Sequence, residues 1–150
     1  MMTDMRVNIA GVELKNPVMT ASGTFGSGEE YSEFVDLNRL GAVVTKGVAN
    51  VPWPGNATPR VAETYGGMMN AIGLQNPGVA HLKAIELPWL AEIGATAMVN
   101  VSGHSFDEYV AVIEALEEAP VAAYEVNISC PNVDAGGMTM GCHVPSVEKV

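Results

Sequence analysis

Strict alternation opens the chain: Val7 and Ile9, then Val12 and Leu14, are separated by polar neighbours, and Ala10-Gly11 between the two pairs supplies a turn glycine. This predicts a small β-hairpin. Pro17 to Ala21 reads as a buried strand that runs into the glycine-rich loop Ser22-Gly23-Thr24-Phe25-Gly26-Ser27-Gly28. A helix is expected from about Glu29, with Tyr31, Phe34 and Leu37 on one face. The same order then recurs. Gly41 to Lys46 is a short apolar strand ending in a lysine, and Val51 to Asn76, punctuated by prolines and glycines, predicts a long irregular loop. Loops of that length inside a domain are usually functional, so it reads as a site loop.

A helix near Gly78 to Glu86 leads to Trp89 and Leu90, and a strand follows at Ala97 to Val101. The next helix starts at Ser105, whose hydroxyl pairs with the Glu108 carboxylate as a capping box, and Tyr109, Val112, Ile113 and Leu116 form its buried stripe. In the fourth strand Tyr124, Val126 and Ile128 alternate with Glu125, Asn127 and Ser129, which places three polar residues on one face. A last helix begins at Ser146 to Val150.

Strands and helices in this order define an α/β chain with a parallel sheet, in which the polar face of the fourth strand meets a barrel interior or a second helix layer. A (β/α)₈ TIM barrel takes about 250 residues. The expectation is therefore a fragment: residues 1–150 as the N-terminal half of one barrel domain, with an N-terminal hairpin, about four β/α units and the remainder of the barrel absent. Barrel sites lie at the carboxyl ends of the strands, which draws attention to Lys46, Asn100 and Asn127.

Charge narrows the function. Seven Lys and Arg against seventeen Asp and Glu give a net charge of −10, which disfavours nucleic acid and anionic lipid as partners. The opening residues lack a signal-peptide core, and no run approaches the roughly 18 apolar residues of a spanning helix. A cytoplasmic protein is expected. Cys130 and Cys142 are too few for a disulfide framework and read as thiols.

Cys130 sits just past a strand end in Asn127-Ile128-Ser129-Cys130-Pro131-Asn132, a setting in which a thiol serves as nucleophile or general base. A buried apolar cysteine is the plainer alternative. Lys46, at a strand's end, suits a carboxylate or an electron-rich ring, or is merely a surface lysine. Asn70, followed by Ala71-Ile72-Gly73-Leu74-Gln75-Asn76, offers carboxamides and backbone amides to a flat polar ligand, although such clusters also make plain turns. Cys142-His143 lacks a second pair at ligand spacing, so no metal is expected. Glu114, Glu117 and Glu118 read as a solvated helix face.

Several of these stretches together resemble a known family. Asn127 to Val133, with Ala21 to Gly26, Val44-Thr45-Lys46-Gly47 and Gly55 to Val61, is similar to dihydroorotate dehydrogenase. Met69 to Gly78 resembles the class 1B, NAD-linked catalytic subunits. The resemblance implies FMN at the mouth of a (β/α)₈ barrel and oxidation of dihydroorotate to orotate in pyrimidine biosynthesis. It implies Cys130 as the base that removes the C5 proton while hydride leaves C6. Ser22, Lys46, Gly47, Asn100 and Asn127 would contact the flavin. Lys46, Asn70, Ala71, Ile72, Gly73, Leu74, Asn127 and Asn132 would form the substrate pocket. It further implies a partner subunit with FAD and a 2Fe-2S cluster that passes electrons to NAD⁺, in a heterotetramer of two catalytic and two electron-transfer subunits.

The resemblance also implies a second flavin-contacting lysine and phosphate-binding glycine loops, which would lie beyond Val150. Gly141 to Pro145 departs from the Gly-Thr-Asp-Pro usual at that place. A dihydropyrimidine dehydrogenase-like flavin domain is the nearest alternative, but it typically carries histidine where this chain has Asn132. An inactive half-barrel acting as an assembly module and a cysteine hydrolase are the others. The hydrolase lacks a histidine visibly committed to Cys130.

Overall fold

In the computed structural model, which describes residues 3–130 and 140–150, the alternating N-terminal residues form the expected hairpin of β1 (Val7–Ile9) and β2 (Val12–Leu14). Its apolar side seals one end of the sheet: Leu14, with Val7 and Val12 beside it, packs on Ala42, Val44 and Met98. The sheet itself is parallel, in the order β3 (Val43–Val44), β6 (Ala97–Val101), β7 (Ala123–Val126). It is flanked by an extended segment that touches it through a bridge between Met19 and Ala42.

That segment corrects the expectation of a buried strand at Pro17 to Ala21. It pairs along one side only, through Gly41 N to Val18 O at 2.8 Å and Thr20 N to Ala42 O at 3.3 Å, and Val18 and Met19 stay exposed. The helix expected from Glu29 is also absent. Short helix α1 (Ser22–Phe25) lies inside the glycine-rich loop, and 3₁₀ turns take Glu29–Tyr31 and Leu37–Arg39. The helically spaced Tyr31, Phe34 and Leu37 do not share one buried face: Phe34 is 80% exposed, Tyr31 stacks on Phe25 at 4.5 Å, and only Leu37, at 2%, enters the core.

Residues 51–76 are not structureless. They hold a second hairpin, β4 (Val61–Thr64) and β5 (Gly67–Asn70), exposed along its whole length. A continuous helical rod follows, from α2 (Val79–His81) through a π turn at Leu82–Glu86 into α3 (Leu87–Glu92). Pro88 has no N–H to donate and its ring crowds the preceding turn, so a widened π turn just before it is the physical accommodation. The rod stops in a Schellman motif: Gly94, at φ +74°, donates to Ala91 O at 3.1 Å, and Ala95 N reaches Leu90 O at 2.9 Å.

Helix α4 (Phe106–Ala115) begins as the cap predicts, with Ser105 Oγ accepting from Glu108 N at 3.4 Å. The Glu108 carboxylate returns to the His104 N–H at 2.8 Å rather than to Ser105. Tyr109, Val112 and Leu116 are buried and Ile113 packs partly buried beside them. The main core lies between these helices and the outward side of the sheet, where Leu82, Leu87, Leu90 and Val112 meet Val43, Val99 and Val101. Helix α5 (Val144–Lys149) ends the chain. Among the described residues no helix is long and apolar enough to cross a membrane.

Candidate functional site at the carboxyl ends of the sheet

Period-two alternation divides each strand between two environments. Val43, Val99 and Val101 face the helices, whereas Val44 and Met98 face the hairpin plug, with Ala123 packed beside them. Continuing along this second face toward the carboxyl ends, the apolar floor gives way to polar residues. Asn100 is opposite Glu125 in the register of β6 and β7, and Asn127 lies two residues on.

These side chains form a continuous row. Ser22 Oγ, at the start of α1, donates to Glu125 Oε1 at 2.9 Å. Asn100 Nδ2 also donates to Glu125 Oε1 and lies 3.3 Å from Ser22 Oγ. Asn127 Nδ2 then donates to Asn100 Oδ1 at 3.2 Å, and Asn127 Oδ1 accepts from the Ser129 N–H at 3.3 Å. From outside the sheet the Tyr109 hydroxyl donates to the Asn127 carbonyl at 2.7 Å, tying α4 to this strand end. Cys130, half-buried, follows directly.

The edge of β3 is shaped around this row. Along its ladder the N–H groups of Val43, Thr45 and Val48 reach Thr96 O, Met98 O and Asn100 O in turn, so the first strand spends one more residue than the second. That extra residue is a bulge at Lys46-Gly47, a device that turns side chains near sites. The Thr45 hydroxyl takes up the Asn100 N–H at 3.4 Å that the bulge displaces. Gly47 is required there: a Cβ would lie 2.6 Å from Asn100 Oδ1 and 2.7 Å from Ser102 Oγ. Leu74 also reaches this point, its Cδ2 being 3.5 Å from the same position.

The structure thus brings Ser22, Gly47, Leu74, Asn100 and Asn127 together and leads from them to Cys130. Lys46 lines a neighbouring cavity of about 390 Å³, with Ser27, Glu30, His81 and Trp89 among its walls. Ile72 and Gly73 lie at the foot of the hairpin arm, where Ile72 O accepts from Asn56 N at 2.9 Å, while Asn70 and Ala71 sit further out and exposed. Leu74 has a left-handed backbone, φ +53°, which is uncommon for a branched residue and frequent at binding sites. Asn132 lies outside the described residues. Away from the row, burial and, to a smaller degree, the Glu117 carboxylate push the Tyr124 phenol above its ordinary value.

Glu125 is the member that sequence reasoning passed over. Its place on the polar face was visible in the alternation, but its hydrogen-bond partner Ser22 lies 103 residues earlier. Ser102 was also missed. It is buried just past β6, and among the described residues its Oγ has no hydrogen-bond partner. Gathered at this edge are the Gly47 backbone, the Ser22 hydroxyl and two carboxamides in line. Among the described residues no cluster could hold a metal ion.

A parallel sheet with polar side chains gathered at its carboxyl ends is the arrangement of α/β proteins, the (β/α)₈ class among them, whose sites lie at that end. The dihydroorotate dehydrogenase family model matches residues 4–148, and the chain belongs to that family. It is 58% identical over 147 residues to the dihydroorotate dehydrogenase B (NAD(+)) catalytic subunit of Alkaliphilus metalliredigens, covering 98% of this chain and 49% of the relative. Identity to the Lachnoclostridium phytofermentans protein of the same name is 63% over 135 residues, with 90% and 45% covered. The chain spans about half the length of the curated relatives it matches. Among solved structures it is similar to a dihydroorotate dehydrogenase from Eimeria tenella crystallised with ferulenol, at a TM-score of 0.63 and 19% identity, covering 87% of this chain and 38% of that one. This likeness shows the fold: a partial barrel of the dihydroorotate dehydrogenase type.

Proposed function

We propose that this chain supplies the N-terminal half of an NAD-linked dihydroorotate dehydrogenase, which oxidises dihydroorotate to orotate. The observation that carries the reading is the row from Ser22 through Glu125, Asn100 and Asn127 to Cys130 at the open end of a parallel sheet. The names of the 58% and 63% identical relatives support it.

FMN, when bound, supplies the hydride acceptor. Ser22, Lys46, Gly47, Asn100 and Asn127 would hold it. Lys46, Asn70, Ala71, Ile72, Gly73, Leu74, Asn127 and Asn132 bind the substrate. Its carboxylate and imide groups call for the cation and carboxamide donors in that set. The Cys130 thiolate takes the C5 proton of dihydroorotate as hydride departs from C6. The proton is weakly acidic, so alignment of the carbon with its base matters as much as basicity. Tyr109 and Ser129, by fixing Asn127, hold the strand end from which Cys130 projects.

The relatives are named as catalytic subunits, which supports a separate electron-transfer subunit for this protein too. That subunit would carry FAD and a 2Fe-2S cluster and deliver electrons to NAD⁺ in a cytoplasmic heterotetramer. The two cysteines of these residues are fewer than the thiolates such a cluster takes.

The test is anaerobic addition of dihydroorotate to the full-length flavin-loaded protein, followed through the visible flavin band. Bleaching is expected. Cys130→Ser should slow that bleaching by about a hundredfold or more, the usual scale for a lost general base, with flavin still bound. An unchanged rate in this variant overturns the base assignment, and a wild-type band that dihydroorotate leaves intact overturns the substrate.

A further inference from the structure

The polarity of the carboxamide row is set from one end. A carboxylate only accepts hydrogen bonds, so the side of Asn100 that faces Glu125 must be its NH₂ group, which leaves Asn100 Oδ1 on the opposite side. An amide oxygen there can be met only by a donor, and Asn127 presents its own NH₂ at 3.2 Å. Asn127 Oδ1 is then turned toward the Ser129 N–H, 3.3 Å away, next to Cys130. Each link fixes the next. A carboxamide without such a neighbour gains little from choosing one of its two flipped orientations.

We infer that Glu125 is a positioning residue: its carboxylate selects the orientation of both Asn100 and Asn127, and through Ser129 it restrains the backbone that presents Cys130. Glu125 is exposed and lies outside both apolar cores, so its role is carried by its oxygens rather than by packing. Ser22 strengthens the anchor, because its hydroxyl donates to the same Oε1 atom. The Tyr109 bond to the Asn127 carbonyl holds the backbone of that residue but leaves its carboxamide free to rotate. Among the described residues that rotation is settled from two sides, by Asn100 Oδ1, whose place is set from Glu125, and by the Ser129 N–H. The inference rests on the reading of Cys130 as the reacting thiol for its functional meaning, but the restraint itself is measurable on the thiol alone.

The experiment is alkylation of the full-length protein by iodoacetamide, with the modification of Cys130 and Cys142 followed separately by peptide mass spectrometry. Cys142 is exposed and serves as an internal reference. Glu125→Met keeps the length of the side chain and removes the acceptor, whereas Glu125→Gln keeps one acceptor oxygen. Glu125→Asp keeps the charge, shortens the reach and is the variant least disruptive to folding. Relative to Cys142, the Cys130 rate should rise about threefold or more in the Met and Asp variants, as a restrained segment opens more often. In the Gln variant it should stay within about twofold of wild type, since the acceptor survives.

A Met variant that reacts like wild type shows that the stem suffices and overturns the inference. So does an Asp variant with an unchanged rate. A Gln variant as fast as Met overturns it in favour of a pure charge effect. Flavin reduction by dihydroorotate is recorded on the same samples. A wild-type protein that is not reduced removes the dehydrogenase reading while the Cys130 rates still decide the role of Glu125.

Discussion

The sheet and the arm of residues 51–76 are held together by different physics. In the sheet, Val43, Val99 and Val101 on one side and Val44 and Met98 on the other are sealed between helices and hairpin, and burial of apolar surface supplies most of the stabilisation. The arm has no such interior: β4 and β5 are exposed from Val61 to Asn70. It is closed at its base by polar staples and by the Trp53 ring stacked on His104, 4.0 Å between centroids. Asn76 Oδ1 accepts from Ala49 N at 3.1 Å and Gly78 N at 3.0 Å, its Nδ2 donates to Leu74 O at 2.8 Å, and its backbone pairs with Trp53. Arg60 donates to Pro54 O at 2.9 Å, to Asn56 O at 3.0 Å and to the Gln75 side chain, while Asn56 Nδ2 reaches Ala71 O at 2.8 Å. A rigid sheet places the Ser22–Asn127 row, and a tethered arm brings Leu74 to Gly47. The lesson is that one side of this candidate site is fixed by packing and the other mainly by a few hydrogen bonds and one ring stack at the base of the arm.

Mutations that separate the two kinds of restraint test this contrast. The largest effect is expected from Leu90→Ala, which empties a fully buried position between α3 and β6. It should cost about 3 kcal/mol of unfolding free energy in urea titration, since the cavity adds to the lost transfer energy. A loss below about 1 kcal/mol would mean that the sheet core is not the main source of stability. Asn76→Ala comes next. It strands the N–H groups of Ala49 and Gly78, and the opening free energy of the arm should fall by about 2 kcal/mol. Native-state hydrogen exchange at the Trp53 and Ala71 amides, which are bonded to Asn76 and Arg60, reads that local opening. The Val99 amide, inside β6, should change less. Equal acceleration at all three would show that arm and sheet open as one unit.

The same contrast explains what could be read in advance. The β1–β2 hairpin, strand β6 and the Ser105 cap were legible because each carries a periodic or capping signal backed by a buried partner. The helix expected from Glu29 carried the period but lacked a common buried face, with Phe34 in solvent, and the chain took 3₁₀ turns instead. Hairpin β4–β5 was missed for the opposite reason. With both faces in solvent, Val61-Ala62-Glu63-Thr64 and Gly67-Met68-Met69-Asn70 have no inside to alternate against. Within the site, Asn100 and Asn127 were found from their place at strand ends, because β-strand period alone decides which face they take. The bulge at Lys46-Gly47 and the bond from Ser22 to Glu125 depend on pairing between distant segments, which no local pattern encodes.

The smallest expected effect falls on the arm's own apolar residues and carries the contrast to its limit. Met68 in β5 is 63% exposed, whereas Met98 in β6 is 8% exposed and packs under the hairpin plug. If the arm is held by its polar base, Met68 contributes almost nothing to folding, and Met68→Gln should change the unfolding free energy by less than about 0.5 kcal/mol. The same substitution at Met98 buries an amide without a designed partner and should cost several times more. Urea titration of both variants side by side makes the comparison within a single experiment. A Met68→Gln loss approaching that of Met98→Gln would mean that the β4–β5 face is covered in the folded protein in solution, by another part of the polypeptide or by a partner, and that the arm has an apolar restraint besides Asn56, Arg60 and Asn76.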